Sequence, residues 1–234
     1  MSREVVFDTE TTGVDPSTGD RVVEIGCVEL INTVPTGRFF HTYINPKRPM
    51  SEGAFRVHGL SDAFLSDKPV FADVVEGFCD FIGDSPLVAH NISFDAMFIN
   101  AEFKRLDIEP LSPNRLIDTL ILARRKHPGA ANNLDALCAR YNIDNSKRTK
   151  HGALLDAEIL AEVYIELCGG RQADLGLSLV NGGDGRINGK RAPAQQRPEK
   201  LPSRVTEAER AAHDIFIETL GSASIWQSYL AKTQ

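Results

Sequence analysis

A chain of 234 residues with 42% hydrophobic content has room for one full α/β domain and an appendage. No apolar run reaches spanning length, and Asp8 and Glu10 interrupt the N-terminus, so neither a membrane span nor a secretory signal is expected and the expected location is cytoplasmic. The four cysteines (Cys27, Cys79, Cys138, Cys168) never form a CxxC, which argues against a disulfide framework or a zinc site, and a net charge of −6 argues against a protein that finds nucleic acid by bulk attraction.

The first predicted element is a β-rich run, Glu4–Phe7, with Asp8 and Glu10 at its C-terminal end. A strand alternates faces with period two, so the two carboxylates point the same way. Each anion raises the pKa of the other, a cost that divalent cations remove. Two solvated acids at a strand end would read the same. Gly13 and the turn Asp15–Asp20 close the segment. Strands are expected at Arg21–Ile31 and Arg38–Ile44, with a turn at Pro35-Thr36-Gly37 between them.

A helix is predicted over Phe71–Ile82, then a strand at Leu87–Ala89 and a helix over Phe94–Leu106. Asp95 lies in the first turn of that helix, where the helix dipole alone would favour an acid. His90 and Asn91 fit the turn before it, where capping would account for both. Arg115–Asp118 reads as a short strand, and Thr119–Arg125, Asn133–Tyr141 and Ala153–Cys168 as helices. Asp156 belongs to the last of these. Five residues along a helix rotate by roughly 140°, so His151 cannot share that carboxylate's helix face. As a loop residue ahead of the helix it can approach from the side, and an imidazole can accept a proton from water near neutral pH. Alone, it reads more readily as a surface histidine near a helix start.

Charge is unevenly spread. From Arg115 to Lys150 there are eight basic residues against three acids, including Arg124-Arg125-Lys126-His127 and Lys147-Arg148-Thr149-Lys150. The second run borders His151 and would draw a phosphate backbone toward it; a solvated basic face is the alternative.

Phe7-Asp8-Thr9-Glu10-Thr11-Thr12-Gly13, then His90-Asn91-Ile92-Ser93-Phe94-Asp95, then His151 to Asp156, in this order, resembles the DEDDh exonucleases on the ribonuclease H-like fold. The resemblance covers residues 4 to about 168. Within that family the chain looks most like the epsilon-type proofreading subunits of bacterial DNA polymerase III, through Gly19–Gly26, Phe55–Leu60 and Lys150–Asp156. It implies a mixed five-stranded sheet flanked by helices and 3′–5′ hydrolysis of DNA ends. Asp8, Glu10, Asp95 and Asp156 would then hold two divalent cations, Mg²⁺ or Mn²⁺. Asp8 would bridge them, and His151 would be the general base. Thr11 or Thr12, Val57, His58 and Asn91 would contact the terminal nucleotide, together with Asp8, Glu10 and Asp156. One departure stands out: the family often has an acid two places before Phe55, and here that position is Gly53, beside Glu52.

The exonuclease domain is expected over 1–180. Asn181–Ser203 is rich in glycine and proline and reads as a flexible linker, roughly 25 Å end to end as a coil and about 75 Å stretched. In the remainder, 204–234, Thr206 and Glu209 form a capping-box pattern before a helix with Ala208, Ala212, Ile215 and Leu220 on one face; Ile225, Trp226, Tyr229 and Leu230 suggest another turn. About thirty residues cannot bury such a face unaided, so a partner is the natural sink. The resemblance implies that this tail binds the polymerase catalytic (alpha) subunit. It also implies the sliding clamp on Gln172–Leu177, a small theta-like subunit, and residence at the nucleoid-associated replisome. An exoribonuclease of the same family and a non-catalytic replisome adaptor are the alternatives; the linker and tail speak against the first and the intact acids against the second.

Overall fold

In the computed structural model, residues 2–146, 148, 150–170 and 205–220 are described. They divide into two units, with the break between Ser178 and Leu179.

The first unit is built on a five-stranded sheet: β1 (Arg3–Thr11), β2 (Val22–Ile31), β3 (Val34–Tyr43), β4 (Leu87–Ala89) and β5 (Leu116–Asp118), in the order β3-β2-β1-β4-β5. β1 to β3 run antiparallel, and β4 and β5 join parallel to β1, which is the mixed sheet expected. β1 is longer than expected, so Asp8 and Glu10 lie within the strand and not beyond its end. The hairpin turn also differs. Ile31 pairs with Val34, leaving Asn32-Thr33 as a two-residue loop with both φ positive (52° and 62°). That is type I′ geometry, whose twist matches the flanking strands. Pro35 and Gly37 instead lie inside β3, where the register with β2 shifts. An edge strand tolerates such residues because one side carries no ladder.

The helices of this unit are α1 (Glu52–His58), α2 (Asp62–Leu65), α3 (Phe71–Ile82), α4 (Ile92–Arg105), α5 (Thr119–Lys126), α6 (Leu134–Tyr141) and α7 (Ala153–Leu167). Sequence periodicity did not reveal the short α1 and α2; each is started by a serine cap, Ser51 and Ser61, whose side chain accepts a backbone N–H. Alternate residues of β1 enter different cores. Val5 and Phe7 pack with Phe78 of α3 and Phe98 and Phe103 of α4, while Val6 packs with Val88, Leu160 and Tyr164 of α7. Period two thus sends Asp8 and Glu10 to the α7 side and Thr9 to the α4 side.

One close approach fixes α7. Gly26 of β2 is the ladder partner of Asp8, and a Cβ there would lie 2.2 Å from the backbone nitrogen of Leu154. Only a glycine lets the first turn of α7 rest directly on β2. That contact puts Asp156 over Asp8.

In the second unit, α8 (Glu207–Thr219) carries the expected capping box: Thr206 N–H donates to Glu209 Oε2 at 2.8 Å and Glu209 N–H to Thr206 Oγ1 at 3.2 Å. Ile215 and Leu220 are exposed, as is Phe216. The predicted linker, Gln172–Leu177 and the Ile225–Leu230 turn lie outside the described residues. Among the described residues, no helix is long and apolar enough to cross a membrane.

Candidate active site

Four segments meet at the open end of β1. β4 is only three residues long, and its pairing with β1 stops at Val6↔Val88. Beyond that point the β4-facing edge of β1 has no ladder. Thr9 N–H therefore donates to Asp95 Oδ1 at 3.0 Å, and Thr9 Oγ1 donates to the same oxygen at 2.7 Å. Thr9 is the orienting group of Asp95, and the sequence offered no sign of it.

Glu10, His151 and Asp156 each offer one ligand atom, and these three atoms lie within 4.8 Å of one another. His151 is held outside the helix, as the spacing required: its N–H donates to Val57 O at 3.4 Å, and its Nδ1 lies 3.2 Å from Asp156 Oδ2. Asp8 and Asp95 complete the cluster electrostatically. Burial first, then the charges of Asp95, Glu10 and Asp156, push Asp8 well above the usual carboxylate range. Burial, then Glu24, Asp156 and Asp95, push Glu10 up to about 8. Asp95 is pushed up to about 7 by burial, against the Thr9 hydrogen bonds that hold it down. Asp156 goes the other way: burial raises it, but His151 and Arg148 outweigh that and leave it lowered.

Arg148 was read as part of a basic run facing a phosphate backbone. Its side chain is instead 8% exposed and turned inward, with Nε 2.6 Å from Asp156 Oδ1 and Nη2 2.8 Å from Asp156 Oδ2. Lys126 is spent on the α7 carbonyls of Glu166 and Leu167. Lys150 is exposed, with its ammonium 5.4 Å from the Phe55 ring centre. Lys147 lies outside the described residues.

A cavity of about 480 Å³ opens beside the cluster, lined by Glu10, Thr11, Val57, His58 and Phe94 among others. Thr11 and Thr12 separate here. Thr11 faces the cavity, whereas Thr12 is fully buried with its hydroxyl committed to Asp20 and to Arg21 N–H. His58 is buried, accepts Leu60 N–H at Nδ1 and donates from Nε2 to Thr11 O at 3.3 Å. Burial lowers its pKa, so it is neutral at pH 7 and only its ring face is left for a ligand. Gly53 also lines this cavity, and a side chain there would meet open space. Asn91 caps α4 in the left-handed region (φ 66°), with its N–H on Asp118 Oδ1 and its side-chain oxygen accepting Ser93 Oγ; its exposed amide is outside this cavity's lining.

The donor set suits a hard divalent cation: two carboxylates and an imidazole have ligand atoms within 4.8 Å of one another, and the carboxyls of Asp8 and Glu10 are raised by burial first and by the neighbouring acids second. These raised values have a measurable consequence. Glu10 and Asp95 have raised folded-state pKa values, so their contribution to stability is complete below the ordinary carboxylate range and is lost as pH climbs through about 7 and 8. Asp156 acts only below its ordinary value of 3.8. Melting of the metal-free protein is therefore expected to fall between pH 5.5 and 8.5, and saturating Mn²⁺ to abolish that fall. A ligand at a hundredfold excess over Kd contributes about 2.7 kcal/mol, or roughly 5–10 °C for a chain of this size. Equal pH slopes with EDTA and with Mn²⁺ would refute this.

Residues 5–164 match the exonuclease family RNase_T. The chain is 46% identical over 226 residues to a DNA polymerase III subunit epsilon of Rickettsia felis, covering 93% of this chain and 96% of that protein. It is 41% identical over 244 residues to the Escherichia coli K12 subunit of the same name, covering 97% and 98%. Among solved structures, exonuclease X in complex with 5′-overhanging duplex DNA aligns at 28% identity with a TM-score of 0.55, over 70% of this chain and 90% of that one. The nuclease domain of 3′hExo, a DEDDh family member bound to rAMP, aligns at 17% identity with a TM-score of 0.62, over 71% and 92%, a likeness of fold.

Proposed function

This chain belongs to the exonuclease family and, within it, to the DNA polymerase III epsilon subunits, and from that premise we propose how its residues carry out the work. It is a metal-dependent 3′–5′ exonuclease of the proofreading kind, acting on DNA within a polymerase complex. The observation that carries the residue assignment is the convergence of Glu10, His151 and Asp156 within 4.8 Å, with Asp8 and Asp95 close enough to shift the same acids.

In this reading Asp8, Glu10, Asp95 and Asp156 would hold two divalent cations, Mg²⁺ or Mn²⁺, which would supply Lewis-acid neutralisation of the charge that gathers on the phosphate oxygens. Thr9 keeps the Asp95 carboxylate oriented. The terminal nucleotide enters the cavity between Thr11, Val57 and the ring face of His58, with Asn91 on the neighbouring turn. His151 takes the proton from the attacking water, and the product is a 5′-nucleoside monophosphate. The cavity wall is largely apolar and Gly53 leaves it open, so a freed base of any identity can be held by stacking and contact alone. That suits an enzyme that must accept every mismatched end. Digestion of a 3′-labelled single strand of DNA with Mn²⁺, with Mg²⁺ and with EDTA tests the whole scheme: release confined to the two metal arms is expected, and equal release with EDTA would overturn it.

We assign 1–180 to the exonuclease domain, 181–203 to a linker and 204–234 to the polymerase-binding tail, with Gln172–Leu177 for the sliding clamp, a small theta-like subunit as a further partner, and the cytoplasmic, nucleoid-associated replisome as the location. Support for the tail comes from α8, whose Ile215, Phe216 and Leu220 are exposed. Size-exclusion chromatography of residues 1–203 with the polymerase catalytic subunit is expected to show loss of co-elution. Co-elution as tight as that of the full chain would defeat the assignment.

A further inference from the structure

The geometry points to Arg148 as an internal stand-in for the cation: its guanidinium occupies the lone pairs of Asp156 and His151 until a divalent ion displaces it. This rests on the metal reading above and adds a positioning residue that switches between two arrangements.

Three contacts make the case. Both Asp156 oxygens are taken by the Arg148 fork, at 2.6 and 2.8 Å. The same Nη2 lies 2.8 Å from His151 Nδ1, and a neutral imidazole that carries its proton on Nε2 accepts from the guanidinium at that nitrogen. The remaining Nη1 reaches Asp135 Oδ1 at 2.7 Å, on the first turn of α6. Asp156 and His151 are also two of the three residues whose ligand atoms converge within 4.8 Å. Each carboxylate oxygen keeps a second lone pair, but the guanidinium brings a positive charge beside Asp156 and His151, where a divalent ion would carry its own. Arg148 and the ion therefore compete for these groups.

The arrangement does two things. It keeps the buried Asp156 paired while no ion is present, where an uncompensated buried charge would otherwise oppose folding. It also keeps the base and a ligand silent together, so the site becomes competent only when the guanidinium leaves. Asp135, largely exposed, remains as the tether that keeps Arg148 at the mouth of the site.

Isothermal titration of the full-length protein with Mn²⁺ alone, without DNA, reads the competition directly. Removing a charged hydrogen-bonding competitor is expected to make R148Q bind Mn²⁺ about 10- to 100-fold tighter than wild type. R148K, which keeps the charge but loses the fork, is expected to fall between them. Equal or weaker binding by R148Q would overturn the stand-in role while leaving the metal reading intact. No Mn²⁺ binding to wild type would overturn both. Should R148Q fail to fold, the wild type still decides: the Arg148 Nε–H resonance, identified by its absence in R148K, is expected to shift and lose protection from solvent exchange as Mg²⁺ saturates the site. An unchanged, protected resonance at saturation would overturn the proposal.

Discussion

Asp8→Ala is expected to cut nucleotide release from a 3′ DNA end by about 10³–10⁵-fold, because it removes several kcal/mol of cation-borne stabilisation of transition-state charge. A lost structural residue would also lower stability, and here the sign should be opposite. Burial and three neighbouring carboxylates hold Asp8 well above its ordinary pKa, so its ionised form opposes the metal-free fold at neutral pH and above. Metal-free Asp8→Ala should melt no lower than wild type at pH 8, and should gain less from Mn²⁺. Activity assays beside melts with EDTA and Mn²⁺ check the pair. Equal, negligible release by wild type and Asp8→Ala in Mg²⁺ would favour a docking module that merely keeps the fold.

The parts of this site that the sequence made legible are those governed by local periodicity. Period two along β1 puts Asp8 and Glu10 on one face whatever surrounds them, and the α7 rotation rule excludes His151 from the helix face of Asp156. The order of the strands and of the longer helices follows from the same periodicities. What stayed hidden depends on contacts between distant segments. Thr9 and Asp95 are 86 residues apart and meet only because β4 ends early. Gly26 looks unremarkable in sequence until α7 lands on it. Arg148 sits in a basic run whose composition suggests solvent, and two carboxylates from different helices turn it inward. The hairpin departs from its sequence composition for a local reason. Pro35-Thr36-Gly37 has the stronger turn composition, yet the I′ loop falls on Asn32-Thr33 and places a β-branched residue at positive φ, which propensity disfavours.

His151→Ala carries the second large effect and decides between two roles that the geometry alone allows. Its nearest ring nitrogen is close enough to Asp156 and Glu10 to join them as a ligand. Its backbone, in contrast, is anchored from the Val57 carbonyl, in the lining of the cavity beside the acids, and its side chain is about half exposed. A ligand needs neither the cavity nor exposure, but a base that must meet an attacking water beside a bound 3′ end needs both. As general base, His151 is expected to contribute about 10²–10⁴ in rate, with Mn²⁺ affinity in the variant essentially kept. Were His151 chiefly a ligand, the variant would bind Mn²⁺ markedly more weakly, and excess metal would restore much of its rate. Rate against Mn²⁺ concentration, measured at several pH values for both proteins, separates the two: a rate deficit that persists at metal saturation belongs to proton transfer, because every ligand effect has by then been titrated away.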